Sequence, residues 1–402
     1  MRFQPTSFAF TLLLGLLASV PSFGIDMSLP ALAAMGAALG ARPSEAGFSM
    51  SLFMLSLAAA PLIYGPASDR YGRKPVILFG VMLFVIGSTG CALAQSLSPL
   101  LIWRFIQGAG AAITTMSMAI IRDLFDGQVA RAKIANVVIA IHVVPMVAPA
   151  AGAALLGLGG WRLIYAAQGA VGLVLLCVIW VGFTESARID PDNRLMPSVI
   201  VRSYIRVLTH PISLGYILVA AAAVGAILAY ATGSALFLID VVGLTPSQYG
   251  LIFGASAVAV MSGAFFDGRL STRGMSPRHA LMIGLALLAL AAMLLLAMTL
   301  TGWMPLPLVI SLLIAATFAF GMSMPNAMNA AMQPLPQIAG AVGAAAGSSQ
   351  MTAGAISSAL VAVLYDGRSA LSMTIVMALC SLLAVVSYLL LARPAERVVV
   401  PS

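Results

Sequence analysis

The sequence predicts an all-α membrane protein whose twelve transmembrane helices form two pseudo-symmetric bundles of six. Its 402 residues are 61% hydrophobic and only 8% charged, whereas a soluble domain carries about 25% charged residues. Apolar runs of the length that crosses a bilayer, about 20 residues, recur along the whole chain. A glycine and an aspartate that follow the second apolar run recur, with the same spacing, after the eighth run. This composition excludes a soluble enzyme and a disulfide-stabilised scaffold.

Charged and Gly- or Pro-rich breaks divide the chain into twelve apolar runs. The first run is too long for a signal-peptide core, so we expect an uncleaved helix. The longest polar break is 184–211, which predicts an N-terminal bundle over 1–184, a cytoplasmic linker over 185–211 and a C-terminal bundle over 212–402. The predicted spans lie near 7–33, 46–67, 75–94, 98–121, 133–158, 162–183, 212–238, 247–267, 279–300, 306–331, 338–364 and 369–391.

The basic residues are distributed unequally between the two sides of the predicted bilayer. Sixteen of the 20 Lys and Arg residues lie on the side of the N-terminus, three lie on the other side, and Arg104 lies within a span. Because cytoplasmic loops retain positive charge, both termini are expected to be cytoplasmic. The net charge of +8 therefore reflects membrane topology and not a nucleic-acid-binding face. The sixteen include Arg2, Arg188, Arg194 and Arg397.

The two halves share a short pattern. Gly65 and Asp69 follow the second span, and Gly263 and Asp267 follow the eighth, with the same offset of 198 residues. The offset is close to half of the chain, which indicates two parallel repeats of six helices. Parallel repeats place a binding site between the halves near the middle of the membrane.

Asp26 and Arg104 are the only ionisable pair expected deep inside the spans, where charge is costly and usually functional. Each lies about six or seven residues from the outer end of its span, so their depths agree within a turn. We expect them to pair, and we expect Asp26 to bind and release a proton as its distance to Arg104 changes. The alternative is a permanent ion pair that sets helix register.

The first span also has a polar face with a predicted bend. Small and polar residues at helical spacing share the face of Asp26, which suits water or substrate. Pro30 has no amide hydrogen for the Asp26 carbonyl, so we expect a bend and a hydratable turn there. The other residues of this face are Thr11, Gly15, Ser19 and Ser22.

The fifth span carries His142, Pro145, Pro149 and Gly152. His142 is a candidate proton relay because its pKa lies near neutrality, but no acid shares its helix face, which favours a packed, hydrogen-bonded histidine. The two prolines and Gly152 are compatible with a functional bend or with packing alone.

The substrate-cavity residues are inferred from span position alone, with packing or lipid-facing roles equally open. No metal, cofactor or nucleophile constellation is evident, and the three cysteines lie inside apolar runs without metal spacing. No enzyme activity is therefore predicted. The cavity candidates are Ser22, Met116, Tyr230, Phe237, Asn326 and Gln350.

Three motifs resemble signatures of the major facilitator superfamily. Residues 65–75, Gly65-Pro-Ala-Ser-Asp-Arg-Tyr-Gly-Arg-Lys-Pro, resemble its loop 2–3 signature. Residues 104–110, Arg-Phe-Ile-Gln-Gly-Ala-Gly, look like the arginine motif of its proton-coupled members. Residues 149–152, Pro-Ala-Ala-Gly, resemble its antiporter signature, with Ala148 and Ala151 in place of the usual glycines.

The bicyclomycin and chloramphenicol resistance branch is the most similar in residues 26–32, 121–125, 243–250 and 325–327. The resemblance implies a monomeric, proton-coupled exporter of small drugs in a bacterial inner membrane, working by alternating access. It also implies that Gly65 allows close packing against the other half, and that Asp69 latches one conformation through Arg73 and a helix of that half. Arg122 is a second candidate partner of Asp69. The remaining latch residues are Arg70 and Gly72.

Two other functions remain open at this point. A proton-coupled uptake symporter for a small metabolite would have the same fold and proton site but the opposite direction of transport. A sensory or interaction protein is disfavoured because no soluble segment is longer than the 184–211 linker.

Overall fold

The computed structural model describes residues 3–187 and 197–395. Helices account for almost all of these residues, as the apolar composition predicts. Four of the arginines counted in the charge distribution lie outside the described residues, namely Arg2, Arg188, Arg194 and Arg397. The orientation of the termini therefore remains an expectation from the sequence.

The membrane-spanning helices follow the predicted apolar runs. Among the described residues, nine segments are long and apolar enough to cross a bilayer. One of them, Gly127–Gly182, contains two helices, because the backbone leaves the helical region at Gly159 and Gly160. Predicted span four is divided at Ala112 and Ile113, and predicted span eleven is the helix Ala339–Leu364. The structure is the all-α architecture expected of a multi-span membrane protein.

The chain forms two compact units. The first comprises Met1–Leu195 with Thr245–Leu251, and the second comprises Met196–Leu244 with Ile252–Ser402. The helices of the first unit are α1 (Phe8–Asp26), α2 (Leu32–Ala38), α3 (Pro43–Tyr71), α4 (Arg73–Leu93), α5 (Leu97–Ala111), α6 (Thr114–Leu124) and α7 (Gly127–Gly182).

The second unit begins with a helix inside the range predicted as linker. This helix, α8 (Pro197–Thr209), buries Val207 completely in the apolar core of its unit. The chain therefore resumes helical structure before the predicted start of the C-terminal bundle. The remaining helices are α9 (Pro211–Ala235), α10 (Pro246–Thr272), α11 (Pro277–Thr301), α12 (Leu306–Met332), α13 (Ala339–Leu364) and α14 (Leu371–Ser387).

Close helix packing in the first unit depends on glycine. A Cβ added to Gly108 on α5 would lie 2.2 Å from the Phe53 carbonyl oxygen on α3. A Cβ on Gly110 would lie 2.2 Å from the Phe84 amide nitrogen on α4. Small residues let helix backbones approach closely where lipid supplies no hydrophobic force between helices. These contacts set the position of Arg104, which lies one turn before Gly108.

Candidate functional site

Helix α1 ends at Asp26, before the end of its predicted span. A 3₁₀ turn, Leu29–Ala31, follows, and α2 continues to Ala38. The break lies where Pro30 predicts it, because proline provides no amide for the helix ladder. Asp26 is only 8% exposed and its side chain interacts with Ser22. A carboxyl group is thus held inside the membrane-spanning part of the first unit at the end of a helix.

The polar face of α1 is packed over part of its length. A Cβ on Gly15 would lie 2.8 Å from the Ala140 Cβ on α7, and the Ser19 hydroxyl donates to the Gly15 carbonyl oxygen at 2.8 Å. At these two positions, the face that we expect to suit water or substrate is packed against α7 or bonded within α1. Helical spacing identified a common face, but packing against α7 covers part of it.

Arg104 is completely buried and does not form the expected ion pair with Asp26; within the described residues no carboxylate lies at ion-pair distance from it. Its guanidinium donates to the carbonyl oxygens of Gly24 at 3.0 Å and Ser49 at 3.3 Å. The guanidinium carbon also lies 4.5 Å from the centre of the Phe53 ring. Backbone dipoles and an aromatic face therefore stabilise this charge.

Two glutamines extend the contacts of Arg104. Arg104 donates to the side-chain oxygen of Gln107 at 2.7 Å, and the Gln107 amide donates to the side-chain oxygen of Gln168 at 2.7 Å. The Gln168 amide donates to the Phe23 carbonyl oxygen at 2.8 Å. The sequence pattern identified Gln107 only as part of the motif at residues 104–110, and it did not identify Gln168. A polar amide inside an apolar run was the signal available for both.

Gly152 on α7 packs against the chain just after Asp26. A Cβ at position 152 would lie 2.1 Å from the Met27 carbonyl oxygen, so this contact requires glycine. The backbone keeps helical dihedral angles through Pro145 and Pro149. The His142 ring donates from Nδ1 to the Val138 carbonyl oxygen at 2.8 Å, one turn earlier on its own helix.

Arg73 at the start of α4 connects three elements of the first unit. It donates to Asp69 on α3 at 2.6 Å and to Asp123 near the end of α6 at 2.9 Å. The Asp123 side chain is 22% exposed and that of Asp69 is 49% exposed, so the ion pair with Asp123 is less screened by solvent. Arg122, the second candidate partner of Asp69, is exposed and forms no ion pair with it in the described ranges.

Glu185, which follows α7, accepts hydrogen bonds from the first amides of α4. Its carboxylate oxygens accept from the backbone amides of Arg73 at 2.8 Å and Lys74 at 3.0 Å. Gly72 makes this approach possible, because its φ is +95° and a Cβ there would lie 2.4 Å from a Glu185 oxygen. A carboxylate at a helix N-terminus is favourable.

Two further residues of the predicted latch have few contacts. Arg70 lies beside the Tyr71 ring, and no neighbouring atom outside its own helix backbone lies within 4 Å of a Cβ placed on Gly65.

The repeat position of Asp69 in the second unit has a different environment. Asp267 is buried and accepts a hydrogen bond from the Asn326 amide on α12 at 2.8 Å. At the repeat position of Gly65, a Cβ on Gly263 would lie 2.1 Å from the Phe318 carbonyl oxygen. The sequence repeat therefore corresponds to a neutral amide contact in the second unit and to a charged cluster in the first.

The remaining cavity candidates are largely buried within their own units. Tyr230 bonds to the Ser256 hydroxyl at 2.7 Å, and Gln350 donates to the Met328 sulfur at 3.2 Å. Met116 and Phe237 are buried apolar side chains. The Tyr230 hydroxyl and the Gln350 amide nitrogen thus have internal partners. In the described part of the chain, no group of three or more His, Cys, Asp or Glu side chains lies together.

Tyr365 joins two helix ends of the second unit. Its hydroxyl donates to Asp240 at 2.6 Å and to the Leu236 carbonyl oxygen at 3.2 Å. Burial raises the pKa of Tyr365 above the ordinary value, and so do the hydrogen bond to Asp240 and the negative charge of Asp240. The hydroxyl therefore remains a donor at neutral pH. Sequence reasoning missed this contact, since 125 residues separate its partners.

Comparison with known proteins shows the family. The Bicyclomycin resistance protein homolog of Haemophilus influenzae is 27% identical over 96% of this chain and 97% of its own length. Multidrug resistance protein D of Escherichia coli is 30% identical over 95% of each chain. Multidrug resistance protein MdtL of Klebsiella pneumoniae is 30% identical over 98% of this chain and 96% of its own.

Solved structures show the same fold at low identity. A bacterial homolog of the human lysosomal transporter Spinster superposes with a TM-score of 0.75 at 16% identity, covering 98% of both chains. A D-xylose-proton symporter superposes with a TM-score of 0.69 at 16% identity, covering 94% of this chain and 97% of its own. The family model of the Major Facilitator Superfamily matches residues 14–360. The chain therefore belongs to the Major Facilitator Superfamily of membrane transporters.

Proposed function

We propose that this protein is a proton-coupled multidrug efflux transporter that exchanges protons for small amphipathic antibiotics. The resistance names of relatives aligned over nearly the whole chain support drugs as the substrate class. The observation that carries proton coupling is the buried Asp26 carboxyl group at a break in α1. Charged groups at membrane depth are costly, so a carboxyl group there is suited to reversible protonation.

In the proposed cycle, proton binding to Asp26 and drug binding to the protein are not both favoured in the same state. In the periplasm-facing state Asp26 takes up a proton, and release of that proton toward the cytoplasm accompanies drug binding. Alternating access of the two bundles then exports the drug. Arg104 acts in this cycle through the backbone of α1, since it binds the Gly24 carbonyl oxygen. This replaces the direct ion pair expected from helix depth.

The drug site proposed here is apolar and lies within the membrane-spanning part. Methionine and aromatic side chains adapt to varied apolar ligands, so Met116, Tyr230 and Phe237 suit such a site. The polar candidates are Ser22, Asn326 and Gln350. Because Asn326 already donates to Asp267, its use for a drug requires that this bond open.

We also propose a monomer in a bacterial inner membrane with both termini in the cytoplasm. The unequal distribution of Lys and Arg supports this orientation. In this orientation the cluster of Asp69, Arg73 and Asp123 lies at the cytoplasmic ends of its helices, where it can hold one conformation of the cycle.

Asp26→Asn tests the proposal. The amide is similar in size but cannot carry a proton, so we expect no proton-driven efflux from a protein that still inserts and purifies normally. The measurement is ethidium uptake by everted vesicles with an acidic lumen, where an exporter accumulates ethidium and an uptake symporter does not. Asp366→Asn, in an exposed loop, is the matched control. Full ethidium accumulation by Asp26→Asn would refute the assignment.

A further inference from the structure

Gln168 contacts α1 within one turn of the proposed proton site, although it lies on α7. Gln107, Gln168 and Arg104 are all fully buried, as is Ser88, which accepts a second bond from the Gln107 amide at 2.8 Å. These side chains come from three helices and meet the end of a fourth, α1. An amide network that is completely buried is costly unless every member has a partner.

The direction of each hydrogen bond in this network is determined by Arg104. A guanidinium only donates, so the Gln107 oxygen must accept and the Gln107 amide must donate to the Gln168 oxygen. The Gln168 amide must then donate, and a backbone carbonyl, which only accepts, is its partner at Phe23. Reversing either amide would leave two buried donors or two buried acceptors in contact. The network therefore allows only one orientation of each of the two amide groups.

The end of α1 has carbonyl groups that need such donors. The Ser28 amide, which would bond to Gly24 in a continuous helix, instead donates to the Ile25 carbonyl oxygen at 3.2 Å, and the Ser28 hydroxyl donates to the Gly24 carbonyl oxygen at 3.0 Å. The last carbonyls of a helix lack intrahelical partners and form its negative end. Arg104 and Gln168 donate to two consecutive carbonyls of this turn, at Gly24 and Phe23.

We propose that Gln168 is a positioning residue for proton coupling, which together with Gln107 and Arg104 holds the last turn of α1 and so sets the surroundings of Asp26. The inference rests on the proposed function, because it assigns Gln168 a role in setting the proton affinity of that site. Gln168 acts through the backbone two to three residues before Asp26. If this turn moves during transport, either the hydrogen bonds to Phe23 and Gly24 break or Gln168 and Arg104 move together with the turn.

Gln168→Met tests the inference, since methionine has nearly the same shape and cannot donate or accept in this network. A fluorescent carbodiimide reacts with protonated carboxyl groups in apolar surroundings, and mass spectrometry of the Asp26 peptide measures its labelling against pH in the purified full chain. Asp26→Asn is the blank. We expect the labelling midpoint to move by about half a pH unit or more, a threefold change in proton affinity. A purely structural loss would lower the yield or the extent of labelling without moving the midpoint.

Further variants separate this role from a general effect of losing a buried polar group. Thr317→Val removes the hydroxyl of a residue that is 2% exposed, and that hydroxyl donates to the Ile314 carbonyl oxygen within α12, so the midpoint should not move. Gln107→Met should move it, and the double variant should move it no further than the larger single change. Gln168→Asn, whose side chain is too short to bridge both partners, replaces Gln168→Met if the latter fails to give a monodisperse protein.

The outcomes distinguish the inference from the function on which it rests. If Asp26 labelling in the unmodified protein does not change with pH, the proton site itself is refuted. If that labelling titrates and Gln168→Met leaves the midpoint in place, the positioning role alone is refuted.

Discussion

Arg104 shows how a buried charge is stabilised without a carboxylate. Three of its donors are used on two backbone carbonyls and one side-chain oxygen, and its flat face lies over Phe53. An arginine supplies several donors in a planar fork, which a lysine cannot do. One of these acceptors, the Gly24 carbonyl oxygen, belongs to the last turn of α1, just before the break. The charge and the helix break are thus parts of one arrangement.

We predict that Arg104→Lys reduces proton-driven ethidium transport at least tenfold. An ammonium group cannot reach Gly24, Ser49 and Gln107 together, and hydrogen bonds to charged groups contribute roughly 1.5–3 kcal/mol each. Arg162→Lys is the control, because Arg162 is exposed and donates to a single carbonyl, that of Ala94. The measurement is the initial rate of ethidium accumulation by everted vesicles. A normal rate in Arg104→Lys would contradict the carbonyl-binding role.

At the scale of elements, the break between α1 and α2 is held from two sides. Arg104 on α5 and Gln168 on α7 bond to carbonyls before Asp26, and Gly152 on α7 packs against the carbonyl after it. A helix that ends inside a membrane requires partners for its backbone groups, since lipid supplies none. Neighbouring helices provide those partners here, which explains why the break is stable.

We predict that Gly152→Ala destabilises the protein and slows transport. The new methyl group would lie 2.1 Å from the Met27 carbonyl oxygen, so α1 or α7 must shift, at a cost of about 1–3 kcal/mol. Gly157→Ala on the same helix is the matched control, since no atom lies within 4 Å of its added Cβ. Thermal unfolding in detergent and ethidium transport measure the two effects. Equal behaviour of the two variants would show that the contact at Met27 does not matter.

At the scale of the whole molecule, the two sequence repeats have acquired different chemistry. The first unit carries an ion-pair cluster of Asp69, Arg73 and Asp123, whereas in the second unit the counterpart residue Asp267 accepts a hydrogen bond from the Asn326 amide. The Asp69 side chain is 49% exposed, and ion pairs that solvent screens contribute little to stability, commonly about 0–1 kcal/mol. Such a weak contact is suited to being broken in every transport cycle. This property supports the proposed role of Asp69 and Arg73 as a latch that opens during transport.

We predict that Asp69→Asn lowers the turnover of ethidium transport several-fold while leaving its apparent affinity unchanged. The amide cannot form the ion pair with Arg73, so the state that this pair stabilises becomes less populated. Concentration dependence of ethidium transport separates the two parameters. Asp366→Asn again serves as the control for an exposed loop carboxylate. An unchanged turnover rate would argue against the latch.

Local patterns along the chain predicted the fold class, the buried position of Asp26 and the helix break before Pro30. Hydropathy and the missing proline amide act over a few residues, so their effects can be deduced from neighbouring positions. The packing of Gly15 against Ala140 could not be deduced in this way, because it depends on how closely α1 and α7 approach.

Only the tertiary structure determined which partners the buried polar groups have. Arg104 bonds to Gly24, 80 positions away, and Gln168 to Phe23, 145 positions away, while the expected pair of Arg104 with Asp26 does not form. Depth in the membrane follows from sequence spacing, whereas the rotation and closeness of helices follow from packing at glycines such as Gly108. The Gly24 acceptor is a backbone carbonyl in the last turn of α1, whereas the Asp26 carboxylate is a side chain, so the packing of α1 against α5 decided which of them Arg104 reaches.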